Sequence, residues 1–117
     1  MTAASPIGPL YDDGLLRITW LPHVTGFRVE GTVDVTSRSG LDAALAAVQQ
    51  GTADVHVDLS GLEFIDMEGL RLIVRAARDF SEGRLLFLEG VPSYIHTLLN
   101  AVNWDDTPGL RCEGMSG

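Results

Sequence analysis

At 117 residues, 45% hydrophobic and 21% charged, the chain is one domain's worth of sequence with enough apolar side chains for a real core, which excludes wholesale disorder. A net charge of −8 works against nucleic acid as a partner, because phosphate binding needs concentrated Lys and Arg; it fits a protein that meets other proteins. Cys112, the single cysteine, has no disulfide partner and no metal-ligand spacing, and neither a leader peptide nor an apolar run near the ~20 residues of a membrane span is visible, so the expected location is cytoplasmic.

Taken in order, residues 1–14 mix small residues and prolines with Asp12-Asp13-Gly14 and predict a mobile N-terminal tail ending in a turn. Residues 15–21 alternate as a strand, Pro22 to Gly26 break it, and residues 27–34 form a second strand with Phe27, Val29, Gly31 and Val33 on one face, an antiparallel hairpin. A helix is expected over residues 41–50, with Ser37 or Ser39 as N-cap and Gly51 as its stop. Residues 55–59 are mostly apolar, as in a strand covered on both faces, and break at Ser60-Gly61.

A helix re-forms behind Asp66 and runs to about Phe80. Asp66 is a good N-cap type, its carboxylate able to accept orphan N–H groups of the first turn. Glu68 lies where the positive end of the helix dipole favours an acid. Gly69 costs a helix ~1 kcal/mol against alanine, so a close approach by another backbone is the expected reason for it. Leu70, Ile73, Val74, Ala77 and Phe80 form a core-facing stripe, while Arg71, Arg75 and Arg78 share another side with Glu68 one turn ahead of Arg71.

Ser81-Glu82-Gly83 stops that helix. Residues 84–89 are another apolar strand. Val91-Pro92-Ser93 opens a last helix with Tyr94, Ile95, Leu98, Leu99 and Val102 as its apolar side, ended by Trp104 to Pro108; Leu110-Arg111-Cys112 adds an edge strand, and residues 113–117 are a C-terminal tail. The β-β-α-β-α-β-α order, with its possible last strand, predicts an α/β domain over residues 15–112: a mixed sheet of four to five strands packed against helices, with parallel neighbours wherever a helix crosses between strands.

Catalytic signatures are sparse. Gly61 and Gly69 fit neither phosphate-cradling glycine pattern. His23, His56 and His96 are far apart, with no ligand spacing for a metal. His56, inside a strand, reads as a hydrogen-bonded core or edge residue. Ser60-Gly61 is not a nucleophile elbow. Capping and dipole roles explain Asp66 and Glu68 more simply than acid–base catalysis. No enzyme and no cofactor is expected.

Three segments carry a resemblance to a known family. Glu30-Gly31-Thr32-Val33-Asp34, Val57-Asp58-Leu59-Ser60-Gly61-Leu62-Glu63-Phe64-Ile65-Asp66 and Asp66-Met67-Glu68-Gly69-Leu70 resemble, respectively, the "x-G-x-hydrophobic-D" strand, the "D-L-S-x-V-x-F-x-D" strand and loop, and the "D-S-S/T-G-L" helix start of the STAS domains. That fold is shared by anti-sigma factor antagonists and the cytoplasmic tails of sulfate transporters. In the phosphorylated antagonists the second Ser or Thr of the last motif is modified by a kinase-type anti-sigma factor, which the unmodified form sequesters.

Here the phosphosite-equivalent position holds Glu68, and Met67 precedes it, so the usual switch is missing from its usual place. The resemblance implies a protein-binding regulatory domain whose surface comprises Asp34, Ser37, Ser39, Asp66, Met67, Glu68, Gly69, Arg71, Leu72 and Arg75. Glu68 would be either a built-in phosphate mimic or the mark of an abandoned switch; as a plain first-turn acid it would simply pair with Arg71. Thr36, Ser37, Ser39 and Ser60 are other hydroxyls expected at that end. The implied partner is a protein, an anti-sigma factor of kinase type, with no nucleic acid and no membrane insertion. The alternative is a non-phosphorylated accessory or scaffold subunit of a membrane transporter or sensor complex.

Overall fold

The computed structural model describes residues 10–80 and 83–112. Nine elements follow in chain order: β1 (Tyr11–Asp12), β2 (Leu16–Trp20), β3 (Gly26–Val33), α1 (Arg38–Gln49), β4 (Val55–Ile65), α2 (Met67–Arg78), β5 (Leu86–Glu89), α3 (Ser93–Ala101) and β6 (Leu110–Cys112). The six strands lie in one sheet in sequence order; β1, β2 and β3 are antiparallel neighbours, while β3 to β6 are parallel, each joined to the next through a helix. The mixed α/β sheet is as expected, with more strands than the four to five anticipated. The added one is β1, inside the segment expected to be a mobile tail, where Tyr11 pairs with Ile18; residues 1–9 and the expected C-terminal tail lie outside the described residues.

Strand alternation places the core. Leu16 and Ile18, Phe27 and Val29, Val55, Val57 and Leu59, Leu86 and Leu88, and Leu110 are all buried, and one cluster joins them to Leu41, Ala44, Leu45 and Val48 of α1, Leu70, Ile73, Val74 and Ala77 of α2, and Ile95 and Leu99 of α3. All three helices therefore share one face of the sheet. The intervening residues, among them Arg28, His56, Asp58, Phe87 and Arg111, point to the other face, which none of the three described helices covers. This corrects the expectation that residues 55–59 are covered on both sides: His56 and Asp58 already supplied the alternation of a half-buried strand. His56 is hydrogen-bonded as expected, its Nδ1 2.6 Å from Glu89 Oε2, though on the open face of an interior strand.

The break expected at Ser60-Gly61 does not occur. β4 continues to Ile65, and its pairing with β3 slips twice, between Arg28 and Glu30 and between Gly31 and Thr32. Such irregularities let both Leu62 and Ile65 face the core. Gly31, at a φ of 98°, is needed there, since a Cβ would lie 2.1 Å from the Leu15 carbonyl oxygen. In α3, Ile95 and Leu99 are buried, whereas Tyr94 and Val102 of the expected apolar side are exposed. Nine residues of helix are too short to bury a wide stripe. α2 ends at Arg78, capped by Asp79, and only Gly83 of its expected stop is a described residue.

Candidate functional site

Two strand ends and two helix starts meet at one end of the sheet. The Asp66 amide donates to the Val33 carbonyl at 3.0 Å, so β4 leaves the sheet level with β3. The loop between β3 and α1 is tied from within. Asp34 Oδ1 accepts from the Thr36 amide at 2.9 Å and the Thr36 hydroxyl at 2.7 Å, and the Asp34 amide donates to Ser37 Oγ at 3.1 Å. Ser37 Oγ in turn donates to the Thr32 carbonyl at 2.9 Å. The Thr36 hydroxyl and amide hold the Asp34 carboxyl below its ordinary range.

Ser37 occupies the N-cap position of α1 but makes no side-chain cap, and it is 0% exposed. Its hydroxyl braces the loop and presents nothing to a partner or a kinase. Ser39, another of the expected hydroxyls, is exposed in the first turn of α1. Ser60 is not at this end, because β4 runs five residues past it. The loop's tip is Val35, 74% exposed.

α2 begins as its sequence predicts. Asp66 Oδ1 accepts from the Gly69 amide at 2.8 Å, and Oδ2 lies 3.7 Å from Arg38 Nε at the start of α1. One carboxylate thus caps α2 and joins the two helix starts electrostatically. Arg38 carries no sequence signal for this, since only the fold brings it near Asp66. Glu68 is exposed, its carboxylate 3.6 Å from Arg71 Nη1. The Arg71 guanidinium lies 5.6 Å from the centroid of the Trp104 ring.

Gly69 is needed for close approach, but to this fold's own β-sheet. A Cβ there would come 2.7 Å from Val33 Cγ1 and 3.0 Å from Ile65 Cγ1, and the residue is buried. Met67 is half-buried at the helix start. Leu72 and Arg75 line a groove of about 420 Å3 between α1 and α2, with Asp42, Leu45 and Gln49 on its far wall.

Asp34, Asp66, Met67 and Glu68 therefore cluster at the strand ends, while Arg71, Leu72 and Arg75 extend down α2. Phe64 and Tyr94, given no site role in the sequence, add exposed apolar surface near this end. The Tyr94 hydroxyl donates to the Glu63 carbonyl at 3.2 Å, which sets the start of α3 beside the end of β4. The ends of β-strands in an open sheet are a common place for ligands and partners to bind. Among the described residues no three His, Cys, Asp or Glu side chains are grouped so as to hold a metal ion, and no helix is long and apolar enough to cross a membrane.

The family model described as "Mlab, STAS domain" matches residues 16–111. A crystal structure of an anti-sigma factor antagonist from Mycobacterium paratuberculosis is similar with a TM-score of 0.64 and 20% identity, covering 82% of this chain and 83% of that one. At that identity the likeness is one of fold. No curated protein matches the sequence.

Proposed function

The chain belongs to the STAS-domain family, and from that premise we propose that it is a protein-binding regulatory domain of the anti-sigma factor antagonist kind, docking through the strand ends and α2. Its partner is a kinase-type anti-sigma factor. The domain acts by occupancy and not by chemistry. The observation that carries this is Glu68: an exposed carboxylate in the first turn of α2, at the position where the family's switch has its hydroxyl. Glu68 offers no hydroxyl, so the stable phosphoester of a Ser or Thr switch cannot form there. It supplies one negative charge where phosphate would supply nearly two, and fewer acceptor oxygens. Glu68 is thus a fixed setting of the switch. Asp66 positions it by capping α2, and Gly69 sets the depth at which the helix start meets β3.

The test is capture from native extract with wild type and Glu68→Ser in parallel, followed by incubation of each with ATP and the retained proteins. The expected result is a kinase-fold anti-sigma factor among those proteins, held more tightly by Glu68→Ser, or phosphate incorporated at Ser in the variant alone. Equal retention with no incorporation would sink the proposal. The absence of a hydroxyl at both Met67 and Glu68 also favours a second role, a constitutive accessory subunit of a transporter or sensor complex. Transporter components held equally by both forms would establish that one.

A further inference from the structure

The face of α2 that carries Arg71, Arg75 and Arg78 is out of character with the rest of the molecule. The chain has eight basic residues against sixteen acidic ones, and all eight are arginine. Most are already engaged. Arg17, Arg28, Arg38 and Arg71 stand beside Asp12, Asp58, Asp66 and Glu68, and Arg84 is buried among backbone carbonyls. Arg75 and Arg78 have no ion-pair partner among the described residues, and Arg111, the other such cation, is on the opposite face of the sheet. The helix dipole accounts for basic residues in the last turn. Glu68 accounts for the charge of Arg71, but neither accounts for what lies beside it.

Beside it is Trp104. With Arg71, Val74, Arg75 and Arg78 it lines a groove of about 270 Å3 that contains three guanidinium groups and no carboxylate. The indole is held in place by the way α3 ends. Asn103 takes a left-handed φ of 61°, the Trp104 amide donates to the Leu99 carbonyl at 2.8 Å, and the Asn103 amide donates to the Asn100 carbonyl at 3.2 Å. This is the double closure of a Schellman cap, usually made with glycine. The Trp104 carbonyl also accepts the Thr107 hydroxyl at 2.6 Å. A backbone this well determined keeps a half-exposed tryptophan against an arginine, the two residue types most enriched where binding energy concentrates.

We infer that this groove is the seat for an acidic segment of a protein partner, its carboxylates meeting Arg75 and Arg78 in forked pairs and an apolar side chain resting on Trp104. Guanidinium suits planar two-point pairing with carboxylate better than an ammonium would. The stripe from Arg71 to Arg78 spans seven residues of helix, about 10 Å, the length of roughly three residues of extended peptide. A net charge of −8 repels acidic chains elsewhere on the surface, so the stripe specifies where one can land. The inference rests on the docking role of α2 and adds the chemistry of what docks.

The probe is a fluorescein-labelled peptide of alternating glutamate and leucine, read by fluorescence anisotropy at several salt concentrations, with a lysine–leucine peptide and anionic lipid vesicles as parallel arms. The expected result is binding of the glutamate peptide that weakens with salt and falls roughly ten-fold or more in Arg75→Ala/Arg78→Ala. Arg75→Glu, a surface change that spares the core, should abolish it. Binding that ignores these substitutions, no binding of the glutamate peptide, or vesicles bound through the same arginines in its place would each overturn the inference. Glu68-dependent capture together with peptide failure would leave the proposed function standing and remove only this addition to it.

Discussion

Arg84 is 5% exposed and has no ion-pair partner among the described residues. Its guanidinium instead donates to three carbonyls, those of Val48, Gln49 and Ala53, and its Cζ lies 4.2 Å from the centroid of the Phe80 ring. Val48 and Gln49 are the last turn of α1, where the helix dipole is negative, so a cation there offsets part of its own desolvation. Replacing it with Met would fill similar volume but remove all three hydrogen bonds, leaving, among the described residues, only the Val48 carbonyl with a backbone donor, the Gly51 amide. We expect Arg84→Met to lower unfolding free energy by about 2–4 kcal/mol in urea denaturation. Arg84→Lys should recover less than half of that, because an ammonium lacks the fork. A loss below ~1 kcal/mol for the Met variant would mean that water replaces the guanidinium. At Asp66 the two carboxylate oxygens have separate tasks, so Asp66→Asn should keep most of the cap and lose the attraction to Arg38, while Asp66→Ala should lose both, costing ~1 kcal/mol more. Equal losses would show that the cap contributes nothing.

At the scale of elements, the decisive contact is α2 against β3. Gly69→Ala improves helix propensity by ~1 kcal/mol yet drives a methyl into Val33, a stiff β-branched side chain with no exposed surface. Overpacking of this kind costs ~1–3 kcal/mol, so the net result should be a loss of stability and a displaced start of α2. Unchanged amide shifts across Asp66 to Leu70 in the variant would refute it. α2 was legible in the sequence because its signals agree: an acid at the cap, apolar residues at helical spacing and arginines on another side. The second half of β4 was not, because Ser60-Gly61 looks like a turn when the residues that accommodate it, Glu30 and Gly31, belong to a different strand. Arg38 and Arg84 were given no role in the sequence for a related reason. Their partners are backbone groups or side chains that only tertiary structure brings near; for Arg84 these lie 31 to 36 residues upstream. The cluster at the helix start was therefore readable as a place, and only in part as a set of contacts.

On the scale of the whole molecule, sixteen acids against eight bases set up two opposed responses to acid. From neutral pH down towards the pI near 4.6, net charge shrinks and self-repulsion eases, which favours the folded state. Below that, particular carboxylates dominate. Asp13 is held below its ordinary 3.8 by the Leu16 and Leu15 amides, and Asp34 by the Thr36 hydroxyl and amide. Burial alone would raise Asp58, but the Ser60 amide and hydroxyl and the Arg28 guanidinium, 3.0 Å away, together bring it lower. A carboxyl whose pKa is lower folded than unfolded stabilises the fold above its unfolded pKa. The unfolded chain binds protons first as pH drops, and the contribution is lost by the time the folded group titrates. Urea midpoints should therefore hold or rise from neutral pH to about 5 and fall steeply below about 4. In Asp34→Asn/Asp58→Asn the acid limb should flatten, because the variant has already lost at neutral pH what wild type loses in acid. An acid limb of undiminished slope in that variant would shift the cause to general charge repulsion, since substitution to Asn removes these two titrations and leaves the excess of positive charge that builds up below the pI.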